Sequence, residues 1–372
     1  MERCDVRVLI AGGGTGGHLT PVLATAQALR RADPDGEVIV VGRSGGVAER
    51  LVTDAGIQLE TLDISGVDVS DPRSVARMLV RLPSSTRSAR KLLKRMRPDV
   101  VVGGGGYVCV PVVAAARLQR TPVVLMEQNA YPGRATRLLA RSARVVATSF
   151  ADTRRHLPHA RTVLTGNPIR PEVRALAPAA LVSRCTRVFV TGGSQGARRI
   201  NRAMTGCVHA LLMEYPDLQV THQCGTLDSE HVAAVAHALP PSLRSRYTVE
   251  AFFDDIGARM AAADLVVMRA GGSSLAECSA LGRPMILVPY PYAGGHQAHN
   301  VAPYVAGGAA VAIEDAACTP ERLMAEIRAI LDDAARWRSM AEASRRLGRP
   351  DAADRVVELI EQVAREHATR TA

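Results

Sequence analysis

The first half of the chain alternates short apolar runs with longer segments that have the periodicity of amphipathic helices. Seven of these runs read as β-strands: VRVLIA, EVIVVG, IQLETLDI, DVVVGG, PVVLME, RVVATS and RTVLTG. Strands that alternate with helices form parallel sheets, because each helix returns the chain to the edge where the next strand begins. The pattern therefore predicts a parallel α/β sheet in this half.

The alternation stops at residues 167–184, NPIRPEVRALAPAALVSR, and then resumes with six further runs: TRVFVTGG, LQVTHQCG, YTVEAF, DLVVMRAGG, RPMILVPY and AAVAI. Two similar halves joined by a proline-rich segment predict two Rossmann-like, doubly wound domains that face each other across a ligand-binding cleft. We place the N-terminal domain at 1–166, the linker at 167–185 and the C-terminal domain at 186–348. Residues 349–372 form a last helix that could cross back onto the first domain.

The excess positive charge lies in the first half. The 372-residue chain has a formal net charge of +10, and residues 1–165 hold 24 Arg and Lys against 14 Asp and Glu. Charge localised in this way favours an anionic partner such as a nucleic acid, a membrane surface or an acidic substrate.

Seven cysteines without a C-x-x-C pair indicate scattered thiols rather than a disulfide framework or a zinc site. The longest stretch without Asp, Glu, Lys, Arg or His, 100–116, is too short to span a membrane, so we expect a soluble or at most peripheral protein.

Three glycine-rich turns each follow a predicted strand and precede a predicted helix. They are AGGGTGGH (11–18), VGGGGYVCVP (102–111) and TGGSQGARRIN (191–201). Such turns direct backbone N–H groups at an anion, and glycine lets a phosphate approach closely. The first turn also matches the dinucleotide fingerprint, and the second strand ends in Arg43, which suits a 2′-phosphate. An NADP-dependent oxidoreductase is therefore one functional hypothesis.

The stretch from Val266 to Pro291 combines a strand, a small-residue turn and a helix that carries Glu277 in its first turns. The helix dipole alone favours a carboxylate there. The same carboxylate also suits the hydroxyls of a ribose whose diphosphate is held by the turn. The following segment, GGHQAHN (294–300), opens another helix with Gln297 and Asn300, whose amides suit sugar hydroxyls. The pattern favours a nucleotide-sugar site in the second half.

Eight motifs occur in the order found in one bacterial family: AGGGTGGHLTPVLA, GGYVCVP, EQNAYPGRATR, GNPIR, TGGSQGARRIN, FFDD, RAGGSSLAE and HQAHN. Over nearly its whole length the chain resembles the MurG glycosyltransferases, which add N-acetylglucosamine to lipid-linked muramyl-pentapeptide in peptidoglycan synthesis. The resemblance implies the GT-B fold, with UDP-N-acetylglucosamine on the C-terminal domain and the undecaprenyl-diphosphate-linked acceptor on the N-terminal domain. Donors at a helix N-terminus can stabilise the UDP leaving group, so we expect neither a metal nor a cofactor.

The same resemblance implies roles for individual positions. The amide and side chain of Phe253 lie against uracil, and Glu277 binds the ribose hydroxyls. Gln297 and Asn300 bind the hydroxyls of N-acetylglucosamine. Ser194 faces the diphosphate together with Gly272, Ser273, Ser274, Leu275 and Ala276. From the N-terminal side of the cleft, the UDP-N-acetylglucosamine site is completed by Thr15, Gly16, Gly17, Asn129 and Arg170.

The family inverts the anomeric centre, so a base must remove the proton of the attacking hydroxyl. His18 is the first candidate, because it ends the first glycine-rich turn and imidazole titrates near neutral pH; its alternative role is to cap the helix or the loop. Glu127 is the second candidate, with structural hydrogen bonding as its alternative. We expect the first turn to hold the acceptor diphosphate rather than a dinucleotide. The D-x-D sequence Asp33-Pro34-Asp35 follows the first helix and is interpreted as a turn.

Residues 73–97 contain nine basic residues and no acidic or aromatic one. One apolar helical stripe is predicted at Val75, Met78, Leu79 and Leu82. Either this helix packs on its own sheet, or it docks on anionic inner-leaflet lipids through basic residues that include Arg77, Arg81, Arg90, Lys91 and Lys94. Docking would place the protein on the cytoplasmic face of the inner membrane, near other cell-wall synthesis enzymes. The missing aromatics make nucleic-acid binding the weaker interpretation.

Two positions depart from the family pattern. Met126 precedes Glu-Gln-Asn where the family often has histidine, and Gly272 replaces a usual alanine. Besides the oxidoreductase, two alternatives stay open. One is a related glycosyltransferase with another lipid acceptor, and the other is a non-catalytic membrane-associated adaptor with the same fold.

Overall fold

The computed structural model describes residues 6–13, 16–43, 47–62, 72–179, 183–291 and 295–371. The chain divides into two compact units, and each has its own sheet. Unit 1 contains Met1–Arg170 and Asp351–Ala372, and unit 2 contains Pro171–Pro350.

Unit 1 is built on a parallel sheet in which seven strands are described. They are β1 (Val8–Ala11), β2 (Val38–Arg43), β3 (Gln58–Leu62), β4 (Val100–Gly103), β5 (Val123–Glu127), β6 (Val145–Thr148) and β7 (Thr162–Leu164). Their order is β3-β2-β1-β4-β5-β6-β7. The chain reverses direction across the sheet between β1 and β4, and loops at the carboxyl ends of two such strands diverge to leave room for a ligand.

Helices cover both faces of this sheet. In chain order they are α1 (Gly16–Ala32), α2 (Val47–Asp54), α3 (Pro72–Met96), α4 (Cys109–Leu118) and α5 (Arg134–Leu139). Successive residues of β1 enter opposite layers, because side chains alternate along a strand. Val8 and Ile10 pack in the layer that contains α1, whereas Leu9 and Ala11 pack in the layer that contains α3 and α4. Burial on both faces explains why these strands are apolar throughout.

Unit 2 repeats the architecture with six described strands. They are β8 (Arg187–Thr191), β9 (Gln219–Gln223), β10 (Tyr247–Glu250), β11 (Leu265–Met268), β12 (Met285–Leu287) and β13 (Ala310–Ala312), in the parallel order β10-β9-β8-β11-β12-β13. The helices are α6 (Pro171–Ala175), α7 (Arg198–Glu214), α8 (Ser229–Ala238), α9 (Pro241–Arg244), α10 (Ile256–Ala262), α11 (Gly272–Ala280), α12 (His296–Ala306), α13 (Pro320–Leu331) and α14 (Ala334–Leu347).

The last helix, α15 (Ala352–Thr371), belongs to unit 1. Val356, Ile360 and Val363 are buried in the same layer as α1 and the sheet. The helix therefore completes a hydrophobic core that begins at the other end of the chain.

The predicted fold class is confirmed, and each of the thirteen predicted strands is present. Asp33-Pro34-Asp35 lies between α1 and β2, at the edge where strands begin. Within the described ranges, no helix is long and apolar enough to cross a membrane. The six cysteines in those ranges are buried and form no disulfide.

Candidate functional site

The first two glycine-rich turns lie side by side in unit 1, because β1 and β4 are neighbours. The N–H of Gly104 donates to the carbonyl of Ala11 at 2.8 Å. Val22 of α1 packs against both turns: a Cβ on Gly12 or Gly104 would lie 2.5 or 2.2 Å from its Cγ2. These two glycines therefore allow α1 to pack closely on the strand ends.

His18 lies in the first turn of α1 and contacts the second glycine-rich turn. Gly105 has a φ of +98°, and a Cβ there would lie 2.5 Å from Cδ2 of His18. The neighbouring Gly17 is exposed, and a Cβ on it would meet no atom within 4 Å. Gly16 begins the helix, and Thr15 lies outside the described residues. The structure thus places His18 where the two turns meet, next to an open position.

Glu127 ends β5 and is buried, with 3% of its surface exposed. Oε1 accepts from the backbone N–H and the side-chain amide of Asn129, at 3.0 and 3.1 Å. Oε2 accepts from the N–H of Gly133 at 2.9 Å. The hydroxyl of Thr153 donates to the carbonyl of Asn129 at 3.1 Å. The carboxylate therefore has a structural role in holding the loop that contains Asn129.

Two further positions in unit 1 were singled out in the sequence. Met126 is buried, and its sulfur lies 3.7 Å from the hydroxyl of Thr25, which donates to the carbonyl of Pro21 at 2.7 Å, so this side chain is part of the core. Arg170 is half-buried and is the last residue of the first segment of unit 1.

The helix with the basic stretch, α3, has a buried and a charged face over its second half. Leu82 packs against the core, together with buried Ala89 and Leu93. Val80, by contrast, is 81% exposed. The exposed basic side chains include Arg81, Arg90, Lys91 and Lys94. The side chains of Val75, Arg77, Met78 and Leu79 lie outside the described part of the structure. For Leu82, packing on its own sheet is the observed arrangement.

The third glycine-rich turn, between β8 and α7, belongs to unit 2. Gly193 and Gly196 have φ values of +83° and +78°, and Ser194 between them is exposed. The N–H of Gly193 donates to Oγ1 of Thr191 at 3.0 Å. Gly196 packs against the next loop, where a Cβ would lie 2.0 Å from the carbonyl oxygen of Cys224. The turn is thus fixed at both ends and presents Ser194 outward.

Phe253 follows β10 and is buried. Its N–H donates to Oε1 of Gln223 at 3.0 Å, so this predicted uracil contact is engaged within the protein. The guanidinium carbon of Arg259 lies 4.9 Å from the centre of the Phe253 ring. Gln223 was not predicted as a site residue. The available signal was a polar residue at the end of a buried strand, LQVTHQ.

Helix α11 begins at Gly272, after the extended Gly271. Gly272 and Leu275 are buried, whereas Ser273, Ser274 and Ala276 are half-buried. Glu277, in the second turn, is 4% exposed. The side chain is therefore buried on the helix that directly follows the small-residue turn.

Gln297 and Asn300 of α12 both bind the residue that precedes this turn. Oε1 of Gln297 accepts from the N–H groups of Ala270 and Tyr290, at 3.0 and 2.9 Å. Nδ2 of Asn300 donates to the carbonyl of Ala270 at 3.1 Å, and Asn300 is completely buried. The two backbone donors fix the orientation of the Gln297 amide. Its NH2 group has no partner among the described residues and can donate to a ligand.

Arg269 connects the ends of three strands. It donates to the carbonyls of Val288 and Pro289 at 3.0 and 3.3 Å, and it pairs with Asp315 at 2.5 Å. Asp315 also lies 3.9 Å from Arg199, near the start of α7. Asp315 was missed in the sequence, where a single aspartate in a loop carries no distinguishing signal.

A buried polar network lies beneath the third turn. The imidazole of His222 lies 2.7 Å from the Tyr247 hydroxyl through Nδ1, and 3.0 Å from Oδ1 of Asn201 through Nε2. The Asn201 amide donates to the carbonyl of Cys224 and to Asp228, so its Oδ1 accepts from Nε2–H of His222. Burial lowers the pKa of His222 to about 3, although the nearby Asp228 carboxylate opposes this shift. His222 is therefore neutral in the folded protein.

Comparison with known proteins identifies the enzyme family to which the chain belongs. Residues 8–148 match the glycosyltransferase family 28 N-terminal domain, and residues 187–356 match the glycosyltransferase family 28 C-terminal domain. The chain therefore belongs to glycosyltransferase family 28, which rules out the oxidoreductase alternative. Across the described residues, no group of three or more His, Cys, Asp or Glu is placed to hold a metal ion.

Two curated relatives and one solved structure show which proteins of this family the chain is similar to. The chain is 38% identical over 370 residues to a protein of Desulforudis audaxviator (96% of this chain, 99% of the relative) and 37% identical to one of Halothermothrix orenii (97% and 100%). Both are named UDP-N-acetylglucosamine–N-acetylmuramyl-(pentapeptide) pyrophosphoryl-undecaprenol N-acetylglucosamine transferase. The structure of Acinetobacter baumannii MurG superposes with a TM-score of 0.76 at 28% identity, over 96% of this chain and 99% of that one. The predicted family is confirmed.

Proposed function

We propose that this enzyme transfers N-acetylglucosamine from UDP-N-acetylglucosamine to undecaprenyl-diphosphate-linked N-acetylmuramyl-pentapeptide. The observation that carries the proposal is the full-length similarity to relatives named for this reaction. The 4-hydroxyl of the acceptor sugar attacks the anomeric carbon, its proton passes to a base, and UDP leaves with the bonding electron pair.

Unit 2 binds the donor in this proposal. Negative charge develops on UDP as the glycosidic bond breaks, and we expect N–H groups at the start of α11, together with the third turn, to stabilise it. Glu277, held at the same helix end, accepts hydrogen bonds from the ribose hydroxyls. The NH2 group of Gln297, fixed by two backbone donors, binds a sugar hydroxyl.

Unit 1 binds the acceptor, and His18 is the proposed base. The buried carboxylate of Glu127 is occupied by three N–H donors, which supports a positioning role for this residue. His18 lies at the junction of two glycine-rich turns, next to the open position at Gly17. The first turn then holds the acceptor diphosphate, and the UDP-sugar contact that the resemblance implies for Gly16 and Gly17 is the alternative.

The exposed basic face of α3 supports peripheral docking on anionic lipids at the cytoplasmic face of the inner membrane, where other cell-wall synthesis enzymes could also be contacted. Each basic residue near such a surface contributes about 1 kcal/mol. Co-sedimentation with vesicles containing phosphatidylglycerol tests this. We expect binding by the wild type that is lost in Arg90→Glu/Lys91→Glu/Lys94→Glu and at high salt. Equal binding to neutral vesicles would contradict the docking.

The central experiment measures UDP release from UDP-N-acetylglucosamine with and without a lipid-linked muramyl-pentapeptide analogue. We expect acceptor-dependent release by the wild type and its collapse in Glu277→Ala. Glu230→Ala, in the exposed first turn of α8, is the matched control and should retain activity. UDP-sugar binding without acceptor-dependent release would point to another lipid acceptor. Absence of UDP-sugar binding would refute the proposal.

A further inference from the structure

Gln223 makes contacts that no described role accounts for. It ends β9, the strand between β8 and β10, and its side chain is completely buried. Its Oε1 accepts from the N–H of Phe253, in the loop after β10, at 3.0 Å. Its Nε2 donates to the carbonyl of Gly193, in the turn after β8, at 3.3 Å. One amide thus joins the loops on either side of its own strand.

The remaining contacts make this junction specific. Nε2 of Gln223 also lies 3.4 Å from Oγ1 of Thr191, which accepts from the N–H of Gly193. The ring of Phe253, whose N–H the amide accepts, in turn contacts the guanidinium of Arg259. Because the amide is buried and bonded at both ends, a side chain without an acceptor would leave the buried N–H of Phe253 unpaired. A side chain without a donor would lose the link to the third turn, where the carbonyl of Gly193 would keep only the N–H of Gly196.

We propose that Gln223 is a positioning residue for the donor, because it sets the spacing between the loop that receives the base and the turn that receives the diphosphate. This inference rests on the proposed UDP-N-acetylglucosamine site in unit 2. A nucleoside diphosphate must reach both loops at once, so fixing their separation before binding favours ligands with the matching base-to-diphosphate length. The acceptor does not bind these loops, so its affinity is independent of Gln223.

The test compares Gln223→Met, which keeps the length of the side chain and removes its polar atoms, with the wild type. We expect the KM for UDP-N-acetylglucosamine and the Kd for UDP to rise about tenfold, because ligand binding must then impose the loop spacing that the two hydrogen bonds now maintain. We expect kcat and the KM for the lipid-linked acceptor to change less than twofold. Thr191→Val, which removes the shared hydroxyl, should shift the same two constants in the same direction and keeps the test available if Gln223→Met does not fold.

Tyr247→Phe is the matched control. It removes one buried polar atom from the neighbouring strand, where the hydroxyl bonds His222. It should lower the unfolding temperature and leave the KM for the UDP-sugar unchanged. An unchanged KM in Gln223→Met and Thr191→Val, with lowered stability, would reduce Gln223 to a structural residue. Turnover by the wild type is measured first: its absence counts against the proposed function, whereas its presence with unchanged variants counts against Gln223 alone.

Discussion

Glu127 holds Asn129 through one carboxylate oxygen, which accepts both the backbone N–H and the side-chain amide of that residue. In Glu127→Gln, the new NH2 group would face one of the N–H donors that the carboxylate now accepts. We expect the free energy of unfolding to fall by about 1–3 kcal/mol, measured by urea denaturation. Glu361→Gln, at a half-buried position of α15 where the carboxylate pairs with Arg365, is the control and should change it by less than about 1 kcal/mol.

His18→Gln should lower the activity and leave the stability unchanged, the opposite of the effect expected for Glu127→Gln. We expect kcat to fall by a factor of about 10² to 10⁴, as for loss of a general base, with little change in unfolding temperature. His159→Gln, at an exposed position of unit 1, should keep full activity. If Glu127→Gln keeps its stability but loses as much activity as His18→Gln, Glu127 is the base and the present assignment is wrong.

Gly17 and Gly12 lie in the same turn but have different surroundings. Gly17→Ala adds a methyl group into open space, so the protein should remain as stable as the wild type. If the turn holds the acceptor diphosphate, the KM for the acceptor should rise about tenfold or more, at an unchanged KM for the UDP-sugar. Gly12→Ala should instead destabilise the protein by about 1–3 kcal/mol, because its Cβ would overlap Val22. The reverse pattern for Gly17→Ala, with UDP-sugar affinity lost, would refute the acceptor assignment.

Gln297→Glu separates the structural from the ligand-binding function of this side chain. A carboxylate still accepts the N–H groups of Ala270 and Tyr290, so the unfolding temperature should not fall. The group directed at the sugar changes from a donor to an acceptor, and the KM for UDP-N-acetylglucosamine should rise about tenfold or more. Gln219→Glu, at the opposite edge of the same sheet, should leave this KM unchanged. Equal kinetics for Gln297→Glu and the wild type would remove Gln297 from the donor site.

The buried His222 predicts how stability depends on pH. Its pKa is lowered from 6.5 to about 3, so between these values the unfolded chain binds a proton that the folded protein excludes. The contribution of neutral His222 to the free energy of unfolding is therefore fully present above pH 6.5. Below that pH it falls by at most about 1.4 kcal/mol per pH unit. Urea unfolding between pH 4 and 7 measures the slope, which should be smaller in His222→Gln. An identical slope in the variant would show that other groups cause the acid sensitivity.

The positions of the strands were predictable because strands buried on both faces are apolar throughout, as in VVVG and LVVM. The positions of Glu277 and Gln297 on helices next to small-residue turns could also be anticipated. The contacts of these side chains could not be anticipated, because they join loops that are far apart in the sequence. Examples are the bond from the N–H of Ala270 to Gln297 and the bond from the N–H of Phe253 to Gln223. Likewise, Val22 between Gly12 and Gly104 shows that glycines interpreted as phosphate ligands also serve helix packing.

The return of α15 to unit 1 has a consequence for biosynthesis. Residues 352–371 supply side chains to a core whose first strand begins at residue 8, and all of unit 2 lies between them in the chain. On the ribosome, the apolar layer of unit 1 therefore stays uncovered until residues 352–371 have been made, whereas unit 2 is contiguous and can fold earlier. A stop codon just after residue 350 would leave unit 2 intact but would remove α15 from the core of unit 1.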